Sequence, residues 1–145
     1  MATAYFYGLF LKNQLDGTAV VDFDTDVIRC SLHTGYTPAQ DTHDFFNDVS
    51  ASEITGTGYT AEGPQLTTPD ITYDATSNEV RFTFDDPSWT TATFSATHAI
   101  IYKDTGTPTT SPLIAYIDFG GAQSVSAGTF TLDFNATAAL KITVS

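Results

Sequence analysis

This chain of 145 residues contains one cysteine, one tryptophan and only five lysine or arginine residues. A lone cysteine, Cys30, excludes an intrachain disulfide. A chain of this length buries roughly two-thirds of its unfolded surface, enough for a core without metal or disulfide support. In VIRCSLH, alternation places Cys30 on a strand as a small buried side chain. Five basic residues against 17 acidic ones give a formal net charge of -12. Such a field opposes nucleic acid and anionic membrane as partners and suits a basic or neutral one. The start, MATAYFYGLFLKNQLDG, has no basic segment ahead of its apolar run, and that run is too short to cross a bilayer. The expectation is synthesis in a host cytoplasm, followed by use there or in a particle.

Sets of catalytic residues are also missing. His33, His43 and His98 are the only histidines, and none belongs to an HExxH pattern. Cys30 and His33 stand three apart, so on a strand they point to opposite faces. A zinc site would need ligands from distant segments. No nucleophile elbow or phosphate-binding loop occurs, and the GTG of residues 56–58 lacks the lysine that such a loop requires. Glu79 with Asp85 and Asp86 offers a pair of acids for glycoside chemistry, but these residues read first as the acidic end of a hairpin. Asp22, Asp24 and Asp26 alternate as calcium ligands do, without the glycine and closing glutamate of a calcium loop, and read as a solvated turn. Trp89 reads as a core plug between β-layers rather than a sugar platform, and His98 as a hydrogen-bonded core residue. The chain is expected to be no enzyme, with no cofactor and no metal.

What is abundant is material for strands: eleven Phe, seven Tyr and many Thr. Residues 5–15 suit a short helix ended by Gly17, a strand over 4–11, or an exposed aromatic arm buried on assembly. Residues 27–33 read as a strand, and 37–49 as one or two helical turns capped by Thr42 or Asp41. EITGTGYTAEG, residues 53–63, holds too little apolar material for a core element, and its glycines permit close backbone approach. A loop continues to residue 70. Beyond it, ITYDATSNEVRFTFDD reads as a hairpin, TFSATHAIIYKD as a long strand covered on both faces at its end, and LIAYIDFG, GTFTLDF and ALKITVS as further strands. Together they predict a single all-β domain over 1–145, an antiparallel β-sandwich or jelly-roll-like fold of about seven to eight strands, with 1–16 as a short helix or assembly arm.

The segments YFYGLFLKNQLDG, FDTDVIRCSLHTGYTPAQDTHDFFNDV, EITGTGYTAEG, YDATSNEV and IIYKDTGTPTTSPLIAYIDFG resemble a family of small tailed-bacteriophage virion structural proteins. The resemblance spans about residues 5–144 and carries no catalytic residues. It implies a capsid decoration, or cement, protein on the outer capsid surface of the virion, with the major capsid protein and further copies of itself as partners, as a trimer. A tail, baseplate or fibre component is the alternative, and a glycan-binding module stands further behind. Under this reading Tyr5, Phe6, Tyr7, Phe10 and Tyr59 are the expected contacts between proteins, because a few aromatic anchors carry most of such interfaces.

Overall fold

The longest alternating apolar stretches of the sequence become its longest strands. The structure, a computed structural model, describes residues 2–144. In chain order the elements are β1 (Thr3–Phe6), α1 (Gly8–Asp16), β2 (Ile28–His33), β3 (Asp70–Asp74), β4 (Glu79–Thr83), β5 (Ser88–Lys103), β6 (Leu113–Thr131) and β7 (Leu140–Thr143). All pairings between these strands are antiparallel, in a four-stranded sheet of order β1-β6-β5-β2 and a three-stranded sheet of order β3-β4-β7. The fold is therefore all-β and sandwich-like, with one short helix near its start. Ile100, Ile101, Leu113 and Ile114 are buried at the centre of the larger sheet, as expected for strands covered on both faces.

Residues 8–16 are helical, and Gly17 ends the helix in the left-handed conformation at φ 77°. Residues 3–6 pair with β6, so the segment is a strand followed by a helix. Three expectations need correction. The helical turn expected within 37–49 is present as a 3-10 turn at Phe46–Asp48, with another at Ser50–Ser52, but its cap differs. The Asp48 carboxylate, not Thr42 or Asp41, accepts the free N–H groups of Asp44 and Phe45. A tertiary bond occupies the next free donor: the Phe46 N–H donates to the Ser111 carbonyl at 2.8 Å. Strand β5 begins at Ser88 rather than Thr93, because Trp89 and Ala92 are buried along with Phe94. LIAYIDFG and the first four residues of GTFTLDF belong to one strand, since Gly120 and Gly121 make a bulge rather than a break. Residues 119–122 stand there opposite Thr97 alone, between the pairs His98–Asp118 and Ala96–Gln123.

The glycine-rich stretch is a strap. The Ile54 N–H donates to the Leu32 carbonyl, and the Leu32 N–H donates to the Tyr59 hydroxyl, both at 3.0 Å. Further along, the Cys30 N–H donates to the Pro64 carbonyl and the Leu66 N–H to the Ile28 carbonyl. The outer edge of β2 is thus closed from end to end. Thr57 does the same for β5, accepting the Thr93 N–H at 2.9 Å. An uncovered strand edge invites pairing with other chains, and a loop laid along it removes that hazard.

Candidate functional site

The five aromatic residues expected at contacts divide sharply. Tyr7 is 0% exposed and Phe10 is 5% exposed within their own chain. As contact residues these two are corrected: Tyr7 packs against Tyr116 and hydrogen-bonds Tyr36, while Phe10 packs on Phe6 and Phe23. Burial of an aromatic side chain in the core leaves no area for a partner. Phe6 is half-buried against Phe82. Tyr59 is half-buried, its ring between Trp89 and Phe94, and its hydroxyl donates to Glu53 at 2.7 Å. Burial, with Glu53 as acceptor, raises the Tyr59 pKa; burial likewise raises that of the Glu53 carboxyl. Only Tyr5, 43% exposed and stacked on Tyr116, offers a broad free face.

The histidines come together, which their spacing did not announce. His33 and His98 are cross-strand partners, and Tyr36 packs against the rings of His33, His43 and His98. His33 is held between two hydroxyls, Ser31 at 2.8 Å and Ser52 at 2.9 Å. Burial lowers its pKa to about 3, so it is neutral at ordinary pH. His98 is lowered too, by burial, with Asp118 at 3.8 Å pulling the other way. Ser31 and His33 superficially resemble a nucleophile and its base, yet both are fully buried and no carboxylate orients the imidazole. Ser31 and His33 form the packed inner part of this polar network, and His43 at its margin is half-buried. The acids of the hairpin end are engaged as well: Glu79 pairs with Arg81 and Lys141, Asp85 accepts from Thr67, and Asp86 accepts the Phe134 N–H. Trp89, 4% exposed and packed against Phe94 and Phe130, has no face free for a sugar ring. Among the described residues, no group of three or more His, Cys, Asp or Glu is placed to hold a metal ion, and no helix is long and apolar enough to cross a membrane.

Besides a cavity of about 540 Å³ lined by β1, Glu79, Arg81 and residues 132–135 and 137–141, two open surfaces stand out among the described residues. The first is the free edge of β6: β1 covers only Ala115–Asp118, and from Phe119 to Leu132 no side chain is charged. Residues 120–124 on this edge are exposed. The second is an apolar groove of about 620 Å³ between α1, the loop at residues 20–24 and the smaller sheet. Register explains it. On one face of that sheet, Ile71–Phe82–Leu140 and Tyr73–Val80–Ile142 form two cross-strand rows. Phe82 in the first row is covered by Phe6 at 5.5 Å and Phe23 at 5.1 Å. The second row lacks such a cover, and Tyr73 is 59% exposed. Alternation places Ile71 and Tyr73 on a common face but does not say what lies across from it.

No family model, curated protein or solved structure matches this chain.

Proposed function

We propose that this chain is a structural protein of a tailed-phage particle, a capsid decoration protein that sits on the outer shell and ties neighbouring capsomers together. The observation that carries this reading is a strapped β-frame that leaves an uncharged strand edge and an apolar groove open. The resemblance along residues 5–144 points the same way. A frame already ordered in the free chain would lose little ordering entropy on docking. Mechanically, the protein would contact more than one capsomer and make their separation costlier. Its major partner is the capsid protein, which meets the acidic surface with basic side chains at the rim of the contact.

Self-association belongs to the same proposal. The free edge of β6, uncharged in a chain of net charge -12, is the surface best suited to meet another copy. Pairing of this edge with itself is twofold, so a trimer requires two different surfaces in each contact. Sedimentation equilibrium of the isolated protein distinguishes these orders.

The test of function is cryo-electron microscopy of the intact particle with this chain traced in the map. Density on the outer lattice touching two or more capsomers supports the proposal. Density confined to the tail or baseplate overturns the decoration role in favour of a local structural one, and absence from the particle overturns both.

A further inference from the structure

Four of the large apolar side chains exposed on this protein lie on or beside one groove. Leu15, 87% exposed, Val20 and Ile71 line it, and Tyr73 borders it through its pairing with Val80. Val80 and Ile142 form the floor. Scattered apolar residues on a surface need no explanation, but a concentration of them in a concave site marks a place of interaction.

Charge selects the occupant. The only charged residues lining the groove are Asp22 and Asp24, both exposed. Neither stands in an ion pair with a lysine or arginine, although the neighbouring Asp26 is held by Lys103 at 2.7 Å. All five basic side chains are already committed: Lys12 to Asp16, Arg29 to Asp104, Arg81 to Asp74 and Glu79, Lys103 to Asp26, and Lys141 to Glu79. A second copy would therefore bring net charge -12 against -12, with every lysine and arginine already paired in its own chain. A different protein carrying apolar anchors beside lysine or arginine matches both the floor and the rim.

We propose that this groove docks a short segment of another protein, with apolar side chains seated over Val80 and Ile142 and adjacent Lys or Arg side chains meeting Asp22 and Asp24. The inference goes beyond the placement of the protein in a particle and does not depend on it. An extended segment suits the site, because alternate side chains then face the floor and the rim in turn.

The probe is a capped peptide of alternating valine and lysine, about eight residues long. It is titrated into the isotope-labelled full chain and followed by amide chemical shifts. One control peptide replaces valine by serine, and a second replaces lysine by glutamate. The expected result is saturable shifts at Ile71, Val80 and Ile142, with both controls at least about tenfold weaker. The exposed-site variants Ile71→Ser and Tyr73→Ser should each weaken the valine–lysine peptide about tenfold, and Asp24→Asn about threefold. Equal binding of the serine control would mean diffuse attraction between opposite charges and would overturn the proposal. Equal binding of the glutamate control would remove the role of the rim and overturn it as well. So would no saturation at roughly 1 mM peptide. Sedimentation of the peptide-free protein is the last arm: a dimer abolished by Ile71→Ser would make a second copy the occupant and sink the assignment to another protein.

Discussion

Replacing Gly63 with alanine should cost this fold roughly 2–5 kcal/mol, from left-handed strain and overpacking together. Gly63 lies in the strap at φ 69°, where a side chain brings strain of about 1–2 kcal/mol. A Cβ built there also falls onto the Cys30 carbonyl oxygen and comes within 2.9 Å of the Ser31 Cα. Those are backbone atoms of β2, so no rotamer change relieves the clash, and overpacking of this kind costs about 1–3 kcal/mol. If the strap lifts instead, it forfeits the Arg29 bond to the Gly63 carbonyl, the Tyr102 bond to the Glu62 carbonyl and the Cys30 bond to Pro64, each about 1 kcal/mol. Gly106 is the control: its φ is 79°, but nothing lies within 4 Å of its Cβ position, so Gly106→Ala should cost only the strain of about 1–2 kcal/mol. Urea and thermal unfolding measure both variants, with a drop of roughly 7–16 °C expected for Gly63→Ala. Amide exchange at Cys30 and Leu32 separates local lifting from global loss. If Gly63→Ala is no less stable than Gly106→Ala and exchange at β2 is unchanged, the strap does not close that edge.

Three further outcomes are expected. Tyr7→Ala and Phe10→Ala should each lose about 3–5 kcal/mol in the isolated protein, whereas Tyr5→Ala, losing mainly a stacked pair, should lose about 1 kcal/mol; equal small losses in denaturant titrations would restore the detachable arm. Burial holds the His33 pKa at about 3 against an ordinary 6.5, so below that ordinary value the unfolded chain binds a proton that the folded chain refuses. The His33 contribution should therefore fall by about 2 kcal/mol between neutral pH and about pH 5, and continue falling towards about pH 3. Imidazole NMR reads this directly, and a His33 titration near 6.5 in the folded protein would contradict it. Finally, Cys30 is fully buried and its thiol is pushed up to about 12, so it should react with a thiol reagent only as fast as the protein opens. Rapid labelling of the native protein would refute that.

Local order was legible where one short-range rule acted alone. Gly17 marked a helix end because its left-handed φ disfavours other residues, and the β3–β4 hairpin followed from alternation around a loop of turn formers. Prediction failed where a long-range partner outvoted the local pattern. Ser111 took the Phe46 N–H beside a short 3-10 turn, while Trp89 and Ala92 entered a strand that begins earlier than the alternation suggested. The interface residues illustrate the same limit. Tyr5 and Tyr7 have the same local character, yet one stays open and the other is fully buried.

By itself, the sequence determined the class of fold, the acidic surface and the uncharged run from Phe119 to Leu132, because strand period and charge are properties of neighbouring residues. Tertiary structure alone decided that the glycine-rich stretch is a strap, that three histidines gather around one tyrosine, and that the row Tyr73–Val80–Ile142 is only half covered, with Tyr73 exposed. Alternation states which side chains share a face. Whether that face becomes core or surface depends on the segment that packs across it, here Phe6 and Phe23 over one row and no equivalent pair over the next.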